Sequence, residues 1–421
     1  MRLHTISLAI FLSLAGSLSA VNPTATSYSA DQCQGSAMPY PTPDPMLTAY
    51  PDSLSPVMIN HVGRHGARYA SSSKRSVKLK KILNEADSAR TITPVGRKLL
   101  SLVEYVISIS DKEWGALDSL GMAEQRGIAT RMYVRYPSVF TRGKITALSS
   151  YAPRCIMSMY SFTHQLSRLN NKIEVYTNSG RQNSILMRPF ELDQDYIDYR
   201  ESQPYDSVYA SYLVSVTPLE PVTRILGPGF KIDEKDASDF VHTMYGFLSG
   251  MSAIGLNNDL PEYFTSEEYN ALWSCNNLSQ YLVRTANTIS QIPADIASDL
   301  LLNLINTTDE VVSGSSDAFV QLRFGHAETM MPLLSLMHLK GCYYLTNYFD
   351  SVGLHWKNFH VVPMASNLQL ILFKSKSGRY YVRAELNENP VLLIPGNENI
   401  YVEWTKAKNY LMQCLPIDKQ F

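Results

Sequence analysis

Val57-Met58-Ile59-Asn60-His61-Val62-Gly63-Arg64-His65-Gly66-Ala67-Arg68 is the stretch on which the fold and chemistry of this chain turn. An apolar run delivers a loop in which one histidine stands between two arginines and beside two glycines. The run reads as a buried strand, and the glycines let an anion approach the backbone. Two guanidiniums flanking an imidazole make a poor core and a good oxyanion clamp. Arginine stays charged, and its planar fork matches tetrahedral oxyanions. Its field disfavours a proton on His65, which keeps the imidazole neutral and nucleophilic. The chemistry this points to is phosphoryl transfer through His65, with Arg64 and Arg68 on the non-bridging oxygens.

Two further strand-like runs end in residues of the same kind. Residues 144–148 lead into Ser149-Ser150-Tyr151-Ala152-Pro153-Arg154, and residues 319–324 lead into Gly325-His326-Ala327-Glu328. Ligands of α/β sheets bind beyond the carboxyl ends of the strands, so three such segments are expected to share one site. Arg64-His65-Gly66-Ala67-Arg68 resembles the RHGxR signature of the histidine phosphatase superfamily, acid phosphatase branch. Leu120-Gly121 through Gln125, Gly127 and Arg131 resembles the helix that follows that motif. His326-Ala327-Glu328 is similar to the triplet of the multiple inositol polyphosphate phosphatases, where most of the branch has His-Asp.

The resemblance implies that His65 attacks phosphorus and becomes a phosphohistidine, later hydrolysed by water. It implies that Arg64, Arg68, Arg154 and His326 bind the phosphate, and that Glu328 protonates the leaving alkoxide. It also implies a phytase-like activity on inositol hexakisphosphate and lower inositol phosphates. One position departs from the signature: its proline falls at Ala70, which leaves that backbone freer. An ordinary Glu titrates near ~4.3 and His near ~6.5, so neutral His65 beside protonated Glu328 is a minority state. Bound phosphate should raise the acid, and activity is expected from mildly acidic to near neutral pH.

Residues 64–81 contain Arg64, Arg68, Lys74, Arg75, Lys78, Lys80 and Lys81 and no acidic residue. Such runs are often solvated faces, but the position directly after the loop favours the mouth of a pocket for a highly charged anion. Lys74 and Arg75 are therefore candidate substrate contacts. So are Arg188 and, less favoured, Arg181, which follow a third strand at 172–176.

With 421 residues, 45% hydrophobic and 18% charged, the chain is globular and exceeds one ordinary core. A net charge of −1 excludes a globally basic nucleic-acid binder. Residues 1–20 read as a secretory signal peptide: Arg2, an apolar region from Ile6 to Leu18, and a cut after Ala20. A periplasmic or secreted protein with no membrane span is expected. Residues 21–56 should form an irregular surface lead. An α/β phosphatase domain is expected over 57–188 and 307–421, with an α-helical cap inserted at 189–306. The sheet should be mostly parallel and flanked by helices, Rossmann-like, with a hairpin at 368–386. Five cysteines leave one or two disulfides open, and no spacing calls for a metal or cofactor. The rival functions are a broad-specificity acid phosphatase and a non-catalytic polyanion-binding protein. Retention of both His65 and Glu328 argues against the second. The oligomeric state is open.

Overall fold

The computed structural model describes residues 27–43, 49–141, 143–256 and 260–420. The expected signal peptide lies outside them. Strand β1 (Leu54–Arg64) is buried without interruption from Met58 onward, as a strand covered on both faces must be. Beside it lie β2 (Ile145–Ser149), β3 (Val175–Asn178) and β4 (Val320–Gly325). The remaining strands are β5 (Asn367–Ser375), β6 (Tyr380–Leu386), β7 (Asn389–Val391) and β8 (Val402–Glu403). The sheet order is β3-β2-β4-β1-β5-β6-β7, with β8 on β6.

The α/β class holds, but the sheet is half parallel rather than mostly so. β3, β2, β4 and β1 run parallel, whereas β5 and every strand beyond it pair antiparallel. The reason is local: Ser375 to Arg379 closes a tight turn with Gly378 at φ +85°, so β6 returns as a hairpin with no crossover helix.

Parallel registry brings three strand ends to one level. Arg64 pairs with Gly325, and Ser149 with Phe324. The backbone then ties the following residues together, His65 N to Gly325 O at 3.0 Å and Ser150 N to Phe324 O at 2.9 Å.

Between residues 189 and 306 the described residues form helices and turns only. The boundary expected at 306 falls inside the helix Ser298–Ser313, whose Thr308 hydroxyl accepts from Asn60 of β1 at 2.9 Å. One apolar cluster joins Lys74–Ser88 and Pro94–Ile109 to Glu220–Leu226 and Glu234–Leu248. The helical layer therefore draws on both sides of the sequence boundary. The lead is also less superficial than expected. Cys33, Gln34 and Gly35 are buried in a short 3-10 helix, and the carbonyl of Ser36 accepts from Arg64. All five cysteines are buried and free.

The helix Ser119–Arg135 seats the histidine loop. Its Gln125 amide donates to Arg64 O at 3.0 Å, and its Glu124 carboxylate accepts from Ala67 N at 2.7 Å. The approach is close enough to require glycine on both sides. A Cβ on Gly121 would lie 2.2 Å from Ala67 O, and one on Gly66 would lie 2.4 Å from Gly121 O. Gly121→Ala is expected to cost about 1–3 kcal/mol of stability through overpacking. It should also lower turnover more than its loss of folded protein explains, since the helix pushes on the loop carrying His65. Urea unfolding alongside kcat per folded molecule measures both.

Candidate active site

His65 is buried, and its Nδ1 lies 2.9 Å from Gly66 O. A carbonyl only accepts, so Nδ1 carries the proton and the lone pair is on Nε2. Burial first, then Arg64, Arg68 and Arg154, holds this imidazole well below its ordinary range. The arginine field inferred from sequence is real, but desolvation is the larger cause.

Arg64 Nη1 donates to Ser36 O and, at 2.7 Å, to Val362 O; Arg68 Nη1 donates to Tyr69 O at 2.7 Å. The Nε groups of Arg64, Arg68 and Arg154 are buried with no partner among the described residues. Burial pushes the Arg64 and Arg68 guanidiniums down to about 9 and about 10, and each is repelled by a neighbouring arginine. This much uncompensated cation is relieved by an anion.

Arg154 lies in the first turn of the helix Pro153–Leu169 and its Nη2 reaches His326 Nδ1 at 3.2 Å. His326 Nε2 meets Ser150 Oγ at 2.9 Å and Arg188 Nη1 at 2.6 Å. Burial and Arg154 lower His326 to about 3, so it is neutral. A neutral imidazole accepts at one nitrogen only, yet guanidinium N–H groups face both. Two arginines thus compete for one lone pair, and a phosphate oxygen would satisfy the other. The rings of His65 and His326 stand 5.8 Å apart.

Glu328 sits in the first turn of the helix Ala327–Leu336, one of its oxygens accepting from Arg284 Nη2 at 3.0 Å. Burial alone would raise this carboxyl. Arg284 first, then the backbone N–H at the helix start and Arg64, outweigh it and hold the group at about 2. The unperturbed acid assumed from sequence is corrected accordingly, because a cap residue 44 positions upstream pairs with it.

The basic run divides. Lys74 and Arg75 line a cavity of about 550 Å³ together with Arg64, Arg68 and Arg284, and among the described residues no carboxylate lines it. Lys78, Lys80 and Lys81 face Asp239, Glu104 and Glu85 instead. Position along the helix explains the split, since 74 and 75 begin the helix Lys74–Ser88 next to the loop and the later lysines lie one to two turns further on. Arg188 is brought onto His326 while paired to Glu191. Arg181 is not: it is exposed, its guanidinium 4.4 Å over the Tyr151 ring. Ala70, where the signature has proline, is held by Gly115 N to Ala70 O at 2.7 Å, next to a bridge between Arg68 and Leu117.

Arg284, Glu124 and Ser150 are the site residues that were not assigned from sequence. Ser150 could have been, since it lies between β2 and Arg154. Arg284 carries no local signal.

Residues 251–387 match the family profile of the histidine phosphatase superfamily (branch 2), a span that holds the His326–Glu328 triplet. Multiple inositol polyphosphate phosphatase 1 of Gallus gallus is 27% identical over 406 residues, covering 89% of this chain and 85% of that protein. Its Homo sapiens counterpart is 24% identical, over 83% of this chain and 77% of that protein. Among solved structures, the Bifidobacterium longum multiple inositol polyphosphate phosphatase in complex with inositol hexasulfate superposes with a TM-score of 0.78 at 17% identity. It covers 92% of this chain and 99% of that one. The phytase from D. castellii gives 0.74 at 16% identity, covering 96% and 90%. These likenesses fix the shared fold.

Proposed function

From a chain that carries a histidine phosphatase superfamily (branch 2) domain, we propose a phosphomonoesterase that hydrolyses inositol polyphosphates through a phosphohistidine, with Glu328 as proton donor. The observation that carries the substrate class is the cavity itself. Arg64, Arg68, Lys74, Arg75 and Arg284 line about 550 Å³ with no carboxylate among them. A monophosphate needs one clamp, and this surplus of cations fits a ligand with several phosphates. The curated relatives' names and the hexasulfate-bound neighbour support the same class.

In this reading His65 Nε2 attacks phosphorus, forming the N–P bond as the P–O bond to the inositol breaks. Glu328 gives its proton to the departing oxygen. Arg64, Arg68, Arg154 and His326 hold the three non-bridging oxygens, which is where phosphoryl transfer gains most of its rate. Water, deprotonated by the Glu328 carboxylate, then cleaves the N–P bond and restores both groups.

Phosphate release from inositol hexakisphosphate, glycerol 2-phosphate and an aryl phosphate, measured without added metal, tests this. Each extra charged hydrogen bond contributes about 1.5–3 kcal/mol, so kcat/KM on the inositol substrate should exceed the others by about 10²-fold or more. Comparable rates would make the protein a broad acid phosphatase. No release with tight hexakisphosphate binding would make it a polyanion-binding protein. Export is part of the proposal, supported by the Arg2–Ala20 leader. A secreted form beginning at Val21 is expected, and a cytoplasmic form retaining Met1 would overturn it.

A further inference from the structure

Arg284 is the last residue of the helix Ser266–Arg284 and belongs to two places at once. It lines the cationic cavity, and it donates one hydrogen bond to Glu328 at 3.0 Å. That bond uses one of the five N–H groups of the guanidinium. Its Nε is buried with no partner among the described residues. A carboxylate held by one bond is a weak competitor for a guanidinium when a phosphate dianion offers a bidentate seat.

We propose that Arg284 is a latch on the proton donor: it pairs with the Glu328 carboxylate in the free protein, and a second phosphate of a polyphosphorylated substrate draws it away. This rests on the function proposed above and adds a specificity device to it. While paired, Glu328 is an anion with no proton to give. Once Arg284 turns to the substrate, the carboxylate loses its cation, takes a proton from solvent and can deliver it to the leaving alkoxide. A monophosphate in the clamp of Arg64, Arg68, Arg154 and His326 leaves the latch closed. Arg284 is thus a positioning residue that makes acid catalysis conditional on several phosphates.

The other groups around the carboxylate do not substitute for it. Arg64 and Arg68 face Glu328 from β1 and its loop, His326 from its own segment, Cys155 from Pro153–Leu169 and Tyr196 from Gln194–Ser202. Among the described residues only Arg284 is hydrogen-bonded to its oxygens through a side chain. Arg284 is the strongest of the groups holding the carboxylate ionised against desolvation, so its departure shifts Glu328 toward the protonated form.

The test compares two monoesters, which isolates the latch from any preference for inositol phosphates. Glycerol 2-phosphate leaves as an alkoxide and needs the donor; an aryl phosphate leaves readily without one. In Arg284→Gln the ratio of glycerol 2-phosphate to aryl phosphate kcat/KM should rise about tenfold, the worth of one pKa unit on the donor. The alkaline limb on glycerol 2-phosphate should move to higher pH. KM for inositol hexakisphosphate should rise about tenfold or more from the lost phosphate contact. An unchanged or lower monoester ratio with an unmoved limb overturns the latch. Should the variant fold poorly, a crystal structure of His65→Ala with inositol hexakisphosphate decides. Arg284 on a phosphate and off Glu328 is expected, and an intact Arg284–Glu328 pair overturns the proposal. Failure of the function itself reads differently, as a wild-type protein without preference for the inositol substrate.

Discussion

His65→Ala is expected to lower kcat on inositol hexakisphosphate by about 10⁴-fold or more, the scale on which enzymes lose a covalent nucleophile. The size follows from the site having no substitute. His326, the other imidazole nearby, is engaged on both nitrogens by Arg154, Ser150 and Arg188. Cys155 is buried and its thiol is pushed up to about 12 by desolvation, so it supplies no thiolate. Binding should survive, because the clamp of Arg64, Arg68, Arg154 and His326 is untouched and, among the described residues, the lost side chain is hydrogen-bonded only to Gly66 O. Calorimetry should therefore find hexakisphosphate affinity within about tenfold of wild type while rapid acid-labile labelling of the protein disappears. Turnover within tenfold of wild type would remove His65 from the mechanism. A loss of binding equal to the loss of rate would make it a ligand rather than a nucleophile.

Glu328→Gln should be the next largest effect, about 10²–10⁴-fold on alkyl phosphates, the usual worth of a general acid. The ratio of alkyl to aryl phosphate turnover should fall by a similar factor, since a good leaving group needs little help. The pH dependence gives the sharper signature. A donor acts only when protonated, so the rate falls as pH rises through its pKa. In the free protein Glu328 is held at about 2, burial being outweighed chiefly by Arg284. In the complex the substrate's negative charge raises it. The profile of kcat/KM reports free groups and that of kcat reports the complex, so the alkaline limb should lie at higher pH in kcat. In the glutamine variant that limb should vanish. In the proposed mechanism His65 works when deprotonated, and its depressed pKa places the acid limb well below the ordinary histidine range. The activity window expected from sequence therefore extends further into acid. An alkaline limb that persists unchanged in the variant would assign the donor elsewhere.

Much of this was legible along the chain because it is local. Runs of buried β-type residues before Arg64, Arg154 and Glu328 announce three strands whose ends carry the candidate site, and parallel pairing then leaves those ends at one level. The hairpin around Gly378 is equally readable, whereas the antiparallel half of the sheet that it belongs to emerges only once β5 pairs with β1. The basic run could be seen but not divided. Lys74 and Arg75 differ from Lys78 and Lys80 only in which neighbour each helix position meets, and Asp239 and Glu104 come from distant segments.

The sequence by itself determined the candidate reactive residues and the strands that deliver them, because a motif and the run before it lie within a dozen positions. Tertiary structure alone decided their electrical state. The Ser36 and Val362 carbonyls on Arg64, the burial that keeps His65 neutral and the Arg284 bond that keeps Glu328 charged all join distant segments. Desolvation and Coulomb forces act through space over a few ångströms, and no spacing along the chain records which groups folding will bring that close.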